Sequence, residues 1–311
     1  MKDILNLAVV NFKPVWGNKE ANLNRILGYA EAAAKRGADM IVLPEVCLTG
    51  YDDIYDTPRE EKMQTKLAET VPGPSTDKIC DYAKKYNIFI IFGMPERDVE
   101  TGKVYNSAVI IGPEGIVDVY RKIHLPNREP DWAERGDRPV VFDTPWGKVG
   151  IGICYDTYNF PEIATYAAAK GARLYLNPTA IGWGVSSGKV FRTKTESDCL
   201  RSNIYVASAN LVGKDLYYEF TGCSHIMGPV GKHGDVEYFA GHPFGDPAGE
   251  VPGIFMGTID LALVDHQSIN TFKNLYHTNP VTKTTDWRPD LYVKMYSEIT
   301  ESEEWKSKTE E

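Results

Sequence analysis

Ile88-Phe89-Ile90-Ile91-Phe92 sets five large apolar residues in a row with no polar residue between them. A strand with one wet face alternates apolar and polar side chains; a strand covered on both faces does not, and such strands belong to sheets flanked by other layers. The surrounding sequence supplies those layers. Residues 5–12 read as a strand, and after Asn18 a helix carries Leu23, Ile26, Leu27 and Ala30 on one face, with Gly37 where a C-terminal cap is expected. Residues 40–43 form the next strand, and a helix over about 77–85 leads into the apolar run. Alternation of this kind implies an α/β fold.

Two further runs, 107–111 and 116–123, are joined by Gly112-Pro113-Glu114-Gly115 and read as a β-hairpin, which makes the sheet mixed. Downstream, residues 148–153 are a strand, a helix opens at Pro161 and ends near Gly171, and 173–176 are a strand again. A helix over 189–201 precedes a strand at 204–209, with more strands near 223–227 and 254–259. Beyond about Gln267 polar and aromatic residues follow without clear period, which predicts an irregular tail. No linker, low-complexity block or repeat divides the 311 residues, so one large domain is expected.

Charge and composition narrow the partners. A net charge of −9 repels phosphate backbones and anionic membrane surfaces, so neither nucleic acid nor membrane is an expected partner. Residues 1–5 enter a strand directly, without the apolar stretch of a secretory signal, and five cysteines without regular spacing fit free thiols in a reducing cytoplasm. Apolar residues at 42% suffice for a large core.

Three ionisable groups stand at the ends of strands. Cys154 falls where Lys148-Val149-Gly150-Ile151-Gly152-Ile153 breaks into Tyr155-Asp156-Thr157-Tyr158 and an alanine-rich helix. A sharp strand-to-helix turn pushes a side chain out of the sheet and leaves following N–H groups to meet a developing oxyanion. Glu45 ends the run Ile41-Val42-Leu43-Pro44, and Lys122 lies within Val119-Tyr120-Arg121-Lys122-Ile123-His124. Taken singly, each has a bland alternative: a buried core thiol, a solvated glutamate, a surface lysine.

Leu43-Pro44-Glu45, Arg121-Lys122-Ile123-His124-Leu125 and Gly152-Ile153-Cys154-Tyr155-Asp156 together resemble, in order and spacing, the carbon–nitrogen hydrolase (nitrilase) superfamily. The likeness extends through Asn177-Pro178-Thr179-Ala180 and from Arg201 to Asn210. It implies a four-layer α-β-β-α sandwich with mixed sheets, a hydrolase domain over 1–270, and a C-terminal extension over 271–311 at a subunit interface of a homodimer or larger homo-oligomer. It also implies Cys154 as nucleophile and Glu45 as proton carrier. Lys122 and the Tyr155 backbone N–H would hold the oxyanion, with no metal or organic cofactor. The family's second glutamate falls on Glu129 by its spacing to Gly136-Asp137, with Glu134 as its rival.

Within the superfamily, Tyr155-Asp156 resembles the amidase and N-carbamoyl branches, where nitrile-cleaving members carry Trp-Glu. The expected substrate is therefore a small linear amide or N-carbamoyl compound. The alternatives are a nitrile, or a non-catalytic binding or redox protein on the same scaffold. An arginine clamp for a substrate carboxylate is missing where Thr157 and Tyr158 stand. Tyr51, Tyr158, Asn177, Trp183 and Arg192 are candidate pocket walls. Gly184-Val185-Ser186-Ser187-Gly188 matches a serine nucleophile elbow in letters, but no apolar strand runs into it, so it reads as a pocket loop. A thiol–histidine pair would need His124 or His225. Zinc is disfavoured by the absence of closely spaced ligand pairs.

Overall fold

The computed structural model describes residues 1–51, 53–182, 188–230, 235–266, 281–283 and 287–309. Met1–Ile269 form one compact unit and Asn270–Glu311 a second. The first is built on two six-stranded sheets. One contains β1 (Ile4–Asn11), β2 (Met40–Val42), β3 (Phe89–Arg97), β4 (Val104–Gly112), β5 (Gly115–Arg121) and β14 (Gly253–Asp260), in the order β14-β1-β2-β3-β4-β5. The other contains β6 (Val140–Thr144), β7 (Gly147–Ile151), β8 (Ala172–Thr179), β9 (Tyr205–Asn210), β12 (His225–Gly228) and β13 (Glu237–Gly241), in the order β13-β12-β9-β8-β7-β6. A small hairpin pairs β10 (Val212–Lys214) with β11 (Glu219–Thr221).

Both sheets are mixed in the same way. β1, β2 and β3 run parallel with antiparallel strands outside them, as do β7, β8 and β9. The helices are α1 (Lys19–Lys35), α2 (Met63–Leu67), α3 (Pro74–Tyr86), α4 (Tyr155–Asn159), α5 (Pro161–Ala169), α6 (Gly188–Ser202) and α7 (Ala262–His266). Period-two alternation sorts the side chains into layers. Leu7, Val9, Val42, Ile91 and Ile110 of one sheet pack with Val149, Ile151, Leu174, Leu176 and Ala207 of the other. The opposite face of the first sheet, through Ala8, Val10, Ile41, Ile90 and Val109, takes Leu23, Ile26 and Ala30 of α1 and Ile79 and Ala83 of α3. On the second sheet α5 lies so close that a Cβ at Gly150 would stand 2.3 Å from that of Ala167. The result is an α-β-β-α sandwich, as expected, and Phe89–Phe92 of β3, with Ile88 just before it, is its doubly covered stretch.

The helix expected from Pro161 is α5, and a short helix that was not expected, α4, precedes it directly after Cys154. Two expectations need correction. Strand β5 stops at Arg121, which puts Lys122 just beyond the sheet. The C-terminal segment is not irregular: α8 (Pro289–Glu301) and α9 (Glu303–Thr309) fill most of its described part. Leu291, Tyr292, Met295, Tyr296 and Ile299 recur at helical spacing, and Pro289 takes the first-turn position that suits it. Among the described residues no helix is long and apolar enough to cross a membrane.

Candidate active site

Glu45, Lys122 and Cys154 each stand just beyond the end of a strand, β2, β5 and β7 respectively. Glu45 follows β2 through Leu43 and Pro44, and its turn lies against β3: the Gly93 N–H donates to the Pro44 carbonyl at 3.1 Å, and Leu48 N–H to the Gly93 carbonyl at 3.2 Å. Only glycine permits this approach, since a Cβ at Gly93 would come within 2.3 Å of the Val46 nitrogen and 2.5 Å of the Pro44 oxygen. Val46 itself has φ +40°, an outlier for a β-branched residue, and Cys154 has φ +51°. Such strained backbone gathers where surrounding structure holds functional groups in place.

Lys122 is pinned on both sides, its N–H donating to the Asn106 carbonyl and its carbonyl accepting from Gly136 N–H, both at 2.8 Å. Its ammonium is fully buried and donates to Glu45 Oε1 at 2.6 Å and Glu129 Oε2 at 2.7 Å. Asn106 of β4 completes the group: its Nδ2 donates to Glu45 Oε1 at 2.8 Å and to Glu129 Oε1 at 2.6 Å. Glu45 Oε2 is buried with no hydrogen-bond partner among the described residues. Glu134, the rival second glutamate, instead pairs with Arg59 at the surface.

Electrostatics follow from the burial. Desolvation opposes the charge on Lys122, yet Glu129 and Glu45 hold its affinity for the proton well above the ordinary lysine value. Burial pushes the Glu129 carboxyl up to about 7, against the pull of Lys122 and assisted by the charge of Glu45. Burial, with the negative charge of Glu45, also pushes the Cys154 thiol far up, although Lys122, the Ala180 backbone and the Thr179 side chain pull the other way. At neutral pH the sulfur is therefore a thiol that must lose its proton as it attacks.

The Cys154 turn is held by its own set of bonds. Cys154 N–H donates to the Pro178 carbonyl at 3.0 Å and to Asn177 Oδ1 at 3.2 Å. The N–H groups of Asp156, Thr157 and Tyr158 are taken by the Ile153 and Cys154 carbonyls, so the turn itself uses three of its first donors and leaves that of Tyr155 at the first helical position. Asp156, fully buried, accepts from Tyr120 Oη at 2.7 Å and from His124 N–H at 2.9 Å, and its Oδ1 lies 2.8 Å from His124 Nδ1. It thereby ties the nucleophile turn to the lysine strand. Sequence reasoning used Asp156 only as a branch marker and did not find Asn106; both are single polar residues whose partners are distant in the chain.

A cavity of about 370 Å³ opens on this cluster, lined by Cys154 and Glu129 together with Tyr51, Trp132, Tyr155 and Tyr158. Among the expected wall residues, Tyr51 and Tyr158 line it, and Tyr51 Oη lies 3.4 Å from Glu129 Oε2. Asn177 is buried behind the wall, donating to Tyr158 Oη and Ser208 Oγ at 3.0 Å each. Arg192 must be moved elsewhere: it is on the exposed side of α6, bonded to Glu196 one turn away, and does not line the cavity. Trp183 and residues 184–187 lie outside the described residues. His124 is stacked on Phe160 and committed to Asp156, and His225 is buried outside the cavity lining, its imidazole pushed down to about 4 by burial. Cys47, Cys199 and Cys223 are buried free thiols.

A layered α/β sandwich with a buried carboxylate–ammonium–carboxylate cluster beside a cysteine defines a class of hydrolytic enzyme. The carbon–nitrogen hydrolase family profile matches residues 6–234. A protein named nitrilase from Pyrococcus abyssi is 33% identical over 228 residues, covering 73% of this chain and 82% of its own. An omega-amidase of Xenopus tropicalis is 34% identical over 227 residues, covering 69% and 78%. Among solved structures, Saccharomyces cerevisiae Nit3, a member of branch 10 of the nitrilase superfamily, superposes with a TM-score of 0.74 at 26% identity over 89% of this chain and 97% of that one. An amidase from Nesterenkonia sp. shares the fold with a TM-score of 0.68 at 20% identity, over 86% and 95%. The chain belongs to the carbon–nitrogen hydrolase family. It is an enzyme of the amidase and nitrilase type.

Proposed function

We propose that the enzyme hydrolyses a small linear amide or N-carbamoyl compound through a thioester on Cys154 and releases ammonia. One observation carries this reading: Glu45 has one oxygen bonded to Lys122 and Asn106 and the other buried without a hydrogen-bond partner among the described residues. A carboxylate fixed in this way offers a single oxygen to a proton.

As the Cys154 sulfur bonds to the carbonyl carbon, its proton passes to Glu45 Oε2. The carbonyl oxygen becomes an oxyanion, met by the Lys122 ammonium and the Tyr155 N–H, each worth about 3 kcal/mol in the transition state. When the C–N bond breaks, Glu45 returns the proton to the nitrogen, which leaves as ammonia. Water then adds to the thioester, giving a proton to Glu45, and the sulfur departs and recovers it. Glu129 holds Lys122 in place and orients substrate or attacking water. The same reading keeps the pairing of subunits expected from the family, which sedimentation of the purified protein checks.

Intact-mass measurement after mixing with aliphatic amides, N-carbamoyl amines, N-carbamoyl amino acids and nitriles tests this. Ammonia release with a transient acyl adduct on the wild type, absent from Cys154→Ala, is expected. An adduct that persists in Cys154→Ala removes the assignment, and turnover confined to nitriles transfers the enzyme to the other branch. One of the related solved structures, a Glu-to-Gln mutant of the Nesterenkonia amidase, shows covalent addition of the acetamide moiety of fluoroacetamide at its active-site cysteine. Fluoroacetamide is accordingly a suitable probe, displacing fluoride to leave a stable thioether on Cys154.

A further inference from the structure

Behind Cys154 a run of buried amide and hydroxyl groups points in one direction. Asn177 and Thr179 lie two residues apart in β8 and so share a face, and Tyr158 reaches back to them from α4. Asn177 and Thr179 are fully buried and Tyr158 nearly so. The Tyr158 ring is held edge-on against Phe191 and Phe244, with centroids 4.7 and 6.1 Å away. A buried hydroxyl without a partner is costly, so the place of each hydrogen follows from its neighbours.

The direction starts at a group that can only donate. Cys154 N–H meets Asn177 at 3.2 Å, which fixes that end of the amide as Oδ1 and turns Nδ2 toward Tyr158 Oη and Ser208 Oγ, 3.0 Å from each. Tyr158 Oη accepts from Asn177 and gives its single hydrogen to Thr179 Oγ1 at 2.9 Å. Thr179 Oγ1 accepts in turn, so its own hydrogen points away from Tyr158. The Thr179 side chain and the Ala180 backbone are hydrogen-bonding neighbours of the Cys154 sulfur that favour its anion.

We propose that Asn177 and Tyr158 are positioning residues that aim the Thr179 hydroxyl hydrogen at the Cys154 sulfur, where it meets negative charge as that charge forms. The weight of this donor in turnover rests on the thioester reading; the donor itself rests on the hydrogen-bond directions. In that scheme the sulfur gains charge twice: when its proton moves to Glu45 during attack, and when it departs from the carbonyl carbon as the thioester is hydrolysed. Each time, a donor at the sulfur offsets the opposition of burial to the charge. It is separate from the pair assigned to the substrate oxygen, and a neutral hydroxyl is too weak an acid to give up its proton there.

Alkylation reads the sulfur directly, because iodoacetamide is attacked by the thiolate and needs no amide hydrolysis. The folded protein is treated from about pH 6 to 10, and the Cys154 peptide is quantified by mass spectrometry apart from those of the other cysteines. Thr179→Val keeps the shape of the side chain and removes the hydroxyl. Alkylation of Cys154 at neutral pH is expected to slow about tenfold or more, the scale of one hydrogen bond to a charged group, with the rate–pH curve displaced to higher pH. Thr179→Ser should return the wild-type curve. Tyr158→Phe keeps the ring but frees the Thr179 hydroxyl from its fixed direction, and part of the loss is expected. A merely structural role would lower the melting temperature and leave the curve in place. A Thr179→Val curve that coincides with the wild type, or a displaced one that Thr179→Ser fails to restore, overturns the proposal, and a Tyr158→Phe curve equal to the wild type removes the positioning role. Ammonia release by the wild type tests the other reading: displaced alkylation without hydrolysis keeps the donor and removes the thioester scheme, and hydrolysis with coincident alkylation curves does the reverse.

Discussion

Glu45 and Glu129 are held side by side by one ammonium, Lys122 Nζ, at 2.6 and 2.7 Å, with all three side chains buried. Removing one partner of such a group leaves uncompensated charge in the interior. Lys122→Met is therefore expected to lose about 3–5 kcal/mol of stability along with turnover. Adding Glu129→Gln should recover part of the stability and none of the activity. Urea melts of the wild type, both single variants and the double variant check this. Additive losses would show that the three groups do not act as a unit.

Asn106 gives the two hydrogens of one amide to the two carboxylates, at 2.8 and 2.6 Å. Asn106→Asp conserves shape but turns both donated bonds into repulsion between acids. Displacement of the proton carrier by a fraction of an ångström is enough to cost about a hundredfold in kcat. The expected result is a loss of that order, with the thermal midpoint also reduced. Wild-type kcat in Asn106→Asp would show that Glu45 needs no such clamp.

The Glu129 carboxyl supplies a pH prediction. Its affinity for the proton rises from the ordinary 4.5 to about 7 on folding. Between these values the folded protein keeps a proton that the unfolded chain has lost, so stability falls as pH rises. The contribution is complete below pH 4.5 and gone above about 7. Glu129→Gln titrates nowhere in this window. Its melting temperature should vary less steeply with pH than that of the wild type, and parallel curves from pH 4 to 8 would refute the shift.

The sequence made some of this legible because some signals are local. Glu45, Lys122 and Cys154 each end a recognisable strand, and their order and spacing carry the family likeness; Glu129 was accessible through its distance from Gly136. Asn106 was not, since a polar residue inside β4 looks like ordinary alternation until β4 is registered beside β5 and the Glu45 turn. Arg192 was misplaced because position along a motif-bearing helix says nothing about which face turns inward, and its i,i+4 partner Glu196 decides that. The α8 helix was hidden by its aromatic and polar composition, although its apolar spacing is regular. Short or edge strands such as β6, β10 and β13 lack the long apolar runs that announce the sheet centres.

Two glycines separate close approach from helical propensity. A methyl group at Gly93 would press on the backbone that presents Glu45, with the Val46 nitrogen at 2.3 Å and no flexible side chain to yield. Gly93→Ala should cost about 1–3 kcal/mol through overpacking, and should lower kcat because the turn must shift to make room. Gly28 lies on the exposed side of α1 with nothing within 4 Å of its missing Cβ. There alanine should stabilise by about 0.5–1 kcal/mol, since glycine loses more backbone freedom in a helix, and kcat should stay at the wild-type value. Denaturant melts and ammonia-release rates on the two variants give opposite signs for the same chemical change. Equal behaviour would mean that the Glu45 turn does not depend on the bare backbone of β3.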